Sequence, residues 1–219
     1  MKKHIVCLGD SNTHGYCADP NDCADHGDRF NENERWTQLL QRRLGDDYLV
    51  IEEGLSGRTT CFSDPLHEGL DALSYIIPCL MSHECVDLLV IMLGTNDSKD
   101  RFHVSAKEIA IALGRLIDKA RATPCWGKHA PNILVVAPPP IGERIVEDEV
   151  FRYTMGKNCH AVTAGLAKEY ADLCKQLNIH FVDAVSYGCE FNAIDWTHLT
   201  REAHSKLADG LSRLIPTLL

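Results

Sequence analysis

Residues Ile5-Val-Cys-Leu-Gly-Asp-Ser-Asn-Thr-His-Gly15 decide how this 219-residue chain begins to fold. The apolar run is typical of a buried strand, and it stops at Gly9, Asp10 and Ser11. One interpretation is an ordinary strand-to-helix turn, because Asp and Ser are common helix N-caps. The other is that the turn presents Ser11 as a nucleophile. A serine nucleophile needs partners, which must come from elsewhere in the chain.

Short apolar segments and helical patterns alternate along the rest of the sequence. The predicted strands are 4–8, 48–52, 87–93, 132–137 and His180–Asp183, and the predicted helices are Trp36–Leu44, 70–83, 105–121, 162–177 and Arg201–Leu214. This alternation predicts an α/β fold, with a five-stranded parallel sheet inside a three-layer α/β/α sandwich. No repeat or linker interrupts the pattern, so we expect a single domain over 1–219.

The composition restricts the class of partner. The chain is 45% apolar and 24% charged, and its formal net charge is −9. An acidic chain without a basic run is a poor ligand for nucleic acid or for an anionic membrane. No apolar run approaches the ~18 residues of a membrane span. The N-terminal apolar run is also too short for a signal peptide.

Ten cysteines are spread along the chain, and none forms a C-x-x-C pair. Several lie inside apolar runs, where a thiol behaves as a small apolar side chain. This usage indicates reduced thiols and therefore a cytoplasmic protein. Cys17 and Cys23 share a polar segment, and a disulfide between them remains open.

Polar motifs follow three of the predicted strands and precede the last helix. They are Gly9-Asp10-Ser11, Glu53-Gly54-Leu55-Ser56-Gly57-Arg58, Gly94-Thr95-Asn96-Asp97 and Asp195-Trp196-Thr197-His198. Each motif alone is compatible with a plain turn or a helix cap. Ligands of parallel α/β sheets bind beyond the carboxyl ends of the strands, so we expect all four motifs to converge there.

Together these motifs contain the groups that acyl transfer from an ester requires. Ser11 would attack the carbonyl, His198 would accept its proton, and Asp195 would orient the imidazole. The developing oxyanion needs fixed hydrogen-bond donors. The candidates are the backbone N–H groups of Ser11 and Gly57 and the side-chain amide of Asn96.

The order of the four motifs resembles that of the SGNH hydrolases, the GDSL-type esterase superfamily. GDSNTHG is similar to its first block, GLSGRTT to its second, LGTND to its third and DWTHLT to its last. RWTQLL, VIEEGLSGRTT and DLLVIMLGTNDSK resemble its arylesterase and acyltransferase branch. The resemblance implies a flavodoxin-like fold, Ser11 as nucleophile, Asp195 and His198 as its acid and base, and Ser11, Gly57 and Asn96 as the oxyanion hole.

We therefore expect a serine esterase that cleaves short-chain, acetyl-type esters through an acyl-enzyme, with acyl transfer to an alcohol as a second outcome. Where the family has Leu and an aromatic residue, this chain has Asn12 and His14, which predict a more polar pocket rim. That polarity favours the alternative of a carbohydrate O-acetyl esterase. An alternative of another class is a non-catalytic module that binds a small molecule.

Two long segments without regular periodicity, 16–35 and 138–157, are expected at the same edge of the sheet. They offer little continuous apolar wall beyond a small one from Ile141, Val146, Val150 and Phe151, so we expect a preference for short acyl groups. No ligand spacing predicts a metal site, and no G-x-G-x-x-G motif predicts a dinucleotide cofactor. We therefore expect activity to survive chelation. Members of the branch that this sequence resembles are often oligomers. The resemblance therefore leaves open whether this chain forms a homo-oligomer.

Overall fold

Five parallel strands form the centre of the protein in a computed structural model, which describes residues 1–147 and 149–219 except the side chains of Phe151 and Arg152. The strands are β1 Lys3–Gly9, β2 Tyr48–Gly54, β3 Leu88–Met92, β4 Ile133–Ala137 and β5 His180–Asp183. Their order in the sheet is β2-β1-β3-β4-β5, and every pair is parallel. The predicted parallel sheet is confirmed, with small differences at the strand ends.

Helices cover both faces of this sheet. In the described part of the chain they are α1 Ser11–His14, α2 Trp36–Leu44, α3 Ala72–Ser82, α4 Ala106–Ala122, α5 Glu149–Thr154, α6 Cys159–Ala164, α7 Leu166–Leu177 and α8 Arg201–Leu214. Helices α3, α4 and α7 pack on one face, and α2 and α8 pack on the other. The three-layer α/β/α sandwich is therefore confirmed.

The two cores explain why the central strands are apolar throughout. Val6 and Leu8 of β1 belong to the core under α3, α4 and α7, whereas Ile5 and Cys7 belong to the core under α2 and α8. Successive strand residues point to opposite faces, so a strand covered on both sides needs apolar residues at every position. The apolar run before Gly9 therefore indicates a strand in the middle of the sheet.

The predicted helix 162–177 is wrong in its bounds. The chain forms α6 and α7 in its place, with Gly165 between them. A Cβ atom at Gly165 would lie 2.9 Å from the Cβ of Ala106, so only glycine fits against the start of α4. The amphipathic pattern is continuous through this junction, which is why periodicity alone does not reveal the break.

The segment 138–157 is more regular than its sequence predicts. It contains a short 3₁₀ helix, Glu143–Glu147, followed by α5. Ile141, Ile145 and Met155 form a small apolar core of their own with Cys159. This satellite core explains why the segment is ordered. The many charged residues of the segment hide the helical pattern of its apolar residues in the sequence.

All ten cysteines are free thiols, and most are buried. Cys17 and Cys23 pack with Phe30 in a small apolar cluster without a disulfide. Within the residues described, no helix is both long enough and apolar enough to cross a membrane.

Candidate active site

Ser11 lies at the carboxyl edge of the sheet, at the start of α1. Asp10 caps this helix, because its Oδ1 accepts a hydrogen bond of 2.9 Å from the backbone N–H of Asn12. The N–H of Ser11 belongs to the first helical turn, where backbone donors have no acceptor within the helix. The same short turn therefore presents the hydroxyl of Ser11 and a backbone N–H that has no acceptor within the helix.

His198 joins Ser11 to Asp195 through its two ring nitrogens. Nε2 of His198 lies 2.8 Å from Oγ of Ser11, and Nδ1 lies 2.5 Å from Oδ2 of Asp195. All three side chains are almost completely buried. The structure thus brings together the three residues that the sequence predicts as a triad.

Asp195 is fixed by more than His198. Its Oδ1 accepts hydrogen bonds from the backbone N–H groups of Thr197 and His198 and from the side chain of Asn192. Burial alone would raise the pKa of Asp195, but the hydrogen bond and charge of His198, with these other donors, hold that pKa below its ordinary value. The carboxylate is therefore ionised wherever the histidine is active.

Trp196, between the acid and the base, has a φ of +61°. This left-handed conformation is unfavourable for a bulky residue, and the surroundings hold it in place. The carbonyl of Trp196 accepts a hydrogen bond of 2.8 Å from the N–H of Gly142. The tight turn allows Asp195 and His198, three positions apart, to face each other.

Asn12 ties the histidine loop to the nucleophile turn. Its Nδ2 donates to the carbonyl of Thr197 at 3.2 Å, and its Oδ1 accepts from the N–H of Leu199 at 2.9 Å. These two bonds bracket His198. The expectation that Asn12 makes the pocket rim polar is therefore wrong, because the side chain is buried and points to the loop. His14 is also absent from the described lining of the cavity.

Gly57 and Asn96 face the same cavity as Ser11 and His198. Gly57 has a φ of +85°, a conformation that favours glycine, in the turn that follows β2. The Nδ2 of Asn96 lies 3.4 Å from Oδ2 of Asp10. One amide hydrogen can point to Asp10, which leaves the other for an oxyanion. All predicted donors are therefore gathered beside Ser11.

Arg58 supports this turn from below. Its guanidinium donates to the carbonyl of Gly9 at 3.0 Å and also to the carbonyl of Glu53. Arg58 is buried, so it holds the end of β1 and the end of β2 together rather than facing substrate.

Two further carboxyl groups are buried under the site. Burial raises the pKa of Asp10 to about 6, against the opposing effects of the Asn12 N–H and of neighbouring positive charges. Burial also raises the pKa of Asp97 to about 6, although Thr60 donates to its Oδ1 from both its N–H and its hydroxyl. These acids titrate near neutrality, unlike Asp195.

The cavity has a volume of about 230 Å³, and several of its lining residues have no role in the sequence-based prediction. Ser56 and Thr197 lie inside the four polar motifs, whereas Tyr16, Lys99, Thr154 and Met155 lie outside them. The ring of Tyr16 lies 4.4 Å from the imidazole of His198, measured between centroids. Tyr16 directly follows the GDSNTHG block, and Lys99 is the last residue of the DLLVIMLGTNDSK stretch, so proximity to these stretches is the one sequence signal that points to them.

The segment 138–157 reaches the cavity through Thr154 and Met155. Three apolar residues predicted to line the cavity are not in its described lining. Ile141 is buried in the satellite core, and Val146 and Val150 are exposed. The side chain of Phe151 and all of Asp148 lie outside the described residues.

Lys99 is held at the cavity wall by a buried ion cluster. Its Nζ lies 3.1 Å from Oδ2 of Asp64, and Arg101 contacts both oxygens of the same carboxylate. Burial opposes ionisation of Asp64, but the Leu66 N–H and the two cations lower its pKa to about 2. Two cations on one carboxylate give this cluster an excess of one positive charge.

Comparisons with known proteins agree with this geometry. The family model of the GDSL-like lipase/acylhydrolase family matches residues 7–213. No curated protein matches the chain. Among solved structures, an aryl esterase from M. smegmatis is 34% identical, with a TM-score of 0.87 and coverage of 99% of this chain and 100% of its own. Est24, a carbohydrate acetylesterase from Sinorhizobium meliloti, is 33% identical, with a TM-score of 0.87 and full coverage of both chains.

The family match spans nearly the whole chain, and the two solved structures align over almost their full lengths. The chain therefore belongs to the GDSL-like lipase/acylhydrolase family and is a carboxylic ester hydrolase.

Proposed function

We propose that the chain hydrolyses short-chain esters through an acyl-enzyme on Ser11. The observation that carries the proposal is the unbroken series of hydrogen bonds from Asp195 through His198 to Ser11, which ends in a cavity bordered by Gly57 and Asn96. A hydroxyl within 2.8 Å of an imidazole nitrogen has the geometry of a nucleophile with its base.

The proposed reaction has two steps that share the same groups. Oγ of Ser11 bonds to the ester carbonyl carbon as its proton passes to Nε2 of His198. The oxyanion is held by the N–H groups of Ser11 and Gly57 and by the amide of Asn96. The alcohol then leaves with the proton from His198. Water, activated by the same imidazole, attacks the acyl-enzyme, and the acid leaves as Ser11 regains its proton.

The size of the cavity supports a small acyl group. Its volume of about 230 Å³ is below the ~300–1,000 Å³ usual for sites that enclose drug-sized ligands. One of the similar solved structures is an aryl esterase and another a carbohydrate acetylesterase. Both descriptions name esterases, and the second names acetyl esters, which fit a cavity of this size.

A carbohydrate O-acetyl esterase is the second candidate, and it rests on the likeness to Est24. The polar rim first expected from Asn12 no longer supports it. Rates on acetylated sugars against p-nitrophenyl acetate distinguish the two candidates. Acyl transfer is tested by adding an alcohol and measuring the new ester.

We also propose a cytoplasmic location and a single hydrolase domain over 1–219. The free state of all ten thiols supports the first, since disulfides are rare in a reducing cytosol. Each helical layer contains helices from both halves of the chain, which supports a single domain. Separation of cell fractions tests the location, and a single cooperative unfolding transition tests the domain.

The decisive experiment replaces the nucleophile. Ser11→Ala should retain the circular dichroism spectrum and lose p-nitrophenyl acetate hydrolysis by a factor on the order of 10⁶ in kcat. Ser186→Ala, which changes an exposed serine far from the cavity, is the matched control and should retain full activity. Near-normal hydrolysis by a well-folded, uncontaminated Ser11→Ala variant would refute the proposal.

A further inference from the structure

A second group of reactive side chains lies beside the catalytic machinery, at the junction of β2 and α3. Glu53 is near the end of β2, Cys79 is in α3, and His83 caps the carboxyl end of α3. One ligand atom from each residue lies within 4.8 Å of the other two. Nε2 of His83 is 2.7 Å from Oε1 of Glu53.

The geometry follows from the helix. Cys79 and His83 are four positions apart, so both side chains project from the same side of α3. That side faces β2, from which Glu53 reaches across. The sequence alone does not predict this cluster, because Glu53 is distant in the chain and a Cys and a His four apart are common in helices.

The donor set is the one that zinc prefers. Thiolate sulfur, imidazole nitrogen and carboxylate oxygen are the usual zinc ligands, and three protein ligands with water in the fourth position form a common tetrahedral site. A thiolate from Cys79 and the carboxylate of Glu53 carry two negative charges, which offset those of a divalent ion, and the buried guanidinium of Arg58 adds one positive charge behind Tyr75.

Neighbouring residues already orient the carboxylate. The hydroxyl of Tyr75 donates to Oε2 of Glu53 at 2.9 Å, which turns Oε1 toward His83. Arg58 lies over the ring of Tyr75, at 4.9 Å from its centroid, and donates to the carbonyl of Glu53. A partner such as Tyr75, behind a ligand, fixes ligand orientation in metal sites and raises metal affinity.

We propose that Glu53, Cys79 and His83 form a binding site for a divalent transition-metal ion of the zinc class. When the ion binds, the Cys79 thiol releases its proton to solvent and forms the metal–sulfur bond. His83 binds through Nε2 and keeps its proton on Nδ1, so its contact with Glu53 is replaced by shared contact with the metal. The ion ties the end of β2, where the turn carrying Gly57 begins, to α3.

This site is separate from catalysis. None of its three residues belongs to the described lining of the catalytic cavity. The reaction proposed for Ser11 is therefore expected to survive chelation, while the metal adds stability to the fold. A failure of the metal experiment leaves the esterase mechanism unaffected, and a failure of Ser11→Ala to inactivate leaves the metal site unaffected.

Cobalt(II) and zinc alone are the probes. Metal-free protein titrated with Co²⁺ should develop near-ultraviolet absorption from a thiolate–cobalt bond, saturating at one equivalent, and Zn²⁺ should remove that absorption. Zn²⁺ should also raise the Tm, because an ion that binds only the folded state stabilises it. Cys79→Ala should abolish the cobalt absorption, and His83→Gln should lower zinc affinity at least about tenfold.

The controls address the other thiols and imidazoles. Cys85→Ser and His67→Gln change exposed residues outside the cluster and should bind both metals normally. His83 is partly exposed at a helix end, so His83→Gln tests the site even if the buried change at Cys79 prevents folding. The proposal is overturned by the absence of cobalt–thiolate absorption in the unchanged protein. Equal zinc affinity in folded His83→Gln overturns it as well.

Discussion

His198 makes both hydrogen bonds of the triad, so its proton state governs the whole site. As the proposed base, His198 must be neutral at Nε2, with its remaining proton on Nδ1 facing Asp195. The lowered pKa of Asp195 keeps that carboxylate ionised through the range in which histidines titrate. A fall in rate at acid pH therefore reports protonation of His198 and not protonation of Asp195.

The first prediction concerns this acid limb of the rate profile. We expect kcat/KM to rise as pH is raised from acid to neutral, because only neutral imidazole accepts the Ser11 proton. Burial raises the pKa values of Asp10 and Asp97 to about 6, so the limb needs an assignment. Asp97→Asn should retain the limb, whereas His198→Ala should lose it with most of the activity. A flat profile with chemistry rate-limiting would exclude histidine as the base.

The second prediction concerns stability. The pKa of Asp97 is raised from an ordinary 3.8 to about 6, so the folded state holds this proton more tightly than the unfolded chain does. Its contribution is therefore full below pH ~4 and is lost as pH rises toward 6. A pKa difference of about two units between the folded and unfolded chain corresponds to at most about 3 kcal/mol of unfolding free energy.

Asp97→Asn tests this directly. The amide can accept from Thr60 as the carboxyl does, and it places a neutral NH₂ where Oδ2 has no partner among the described residues. The loss of unfolding free energy between pH 4 and pH 7, measured by urea denaturation, should be smaller in the variant by up to about 3 kcal/mol. Equal losses in both proteins would contradict a raised pKa.

Residue types and their order were sufficient to predict which side chains meet at the cavity, because each motif carries its own chemistry. Ser11, His198 and Asp195 could be paired from what a serine nucleophile requires. Tyr16 and Lys99 could not be assigned to the cavity in this way. Their side chains have many roles elsewhere, and only the path of the backbone brings them to the site.

At the scale of elements, α1 and the loop before α8 behave as one unit. Asn12 joins them with two buried hydrogen bonds on either side of His198. The sequence identifies Asn12 only as a departure from the family pattern, since nothing local indicates a partner in the last part of the chain. The Gly165 break is hidden for a similar reason: it depends on Ala106 of another helix.

The third prediction follows from this link. Asn12→Ala leaves the N–H of Leu199 and the carbonyl of Thr197 without their partner, which costs about 1–3 kcal/mol for each group that stays dry. The histidine loop should then shift relative to Ser11. A displacement of about 1 Å can lower the rate on the order of 10²-fold. We expect a fall in kcat of at least tenfold with little change in KM.

Asn33→Ala is the matched control, because Asn33 is exposed and away from the cavity. It should leave kcat, KM and the Tm unchanged. If Asn12→Ala alters KM and spares kcat, the residue contacts substrate instead of positioning the base.

For the whole molecule, the parallel order of the sheet explains why distant motifs meet. Strands β1, β2 and β3 are neighbours, so the turns after them lie side by side at one edge. The last motif has no strand of its own and enters from the loop before α8, which packs across α2. The alternation of strands and helices predicts where the first three motifs lie. It does not predict which segments close the cavity around them.

The last prediction concerns the length of the acyl chain. An extended acyl group gains roughly 0.8 kcal/mol for each methylene that it buries, provided that an apolar wall continues along it. The cavity is about 230 Å³, and its lining mixes Tyr16 and Met155 with polar Ser56, Lys99 and Thr154. We therefore expect kcat/KM for p-nitrophenyl acetate and propionate to exceed that for octanoate. A second copy of the chain could add apolar wall, so light scattering must establish the assembly state of the same sample. A clear preference for octanoate would refute the short-acyl assignment. If the preference persisted in protein shown to be monomeric, the wall would have to come from this chain alone.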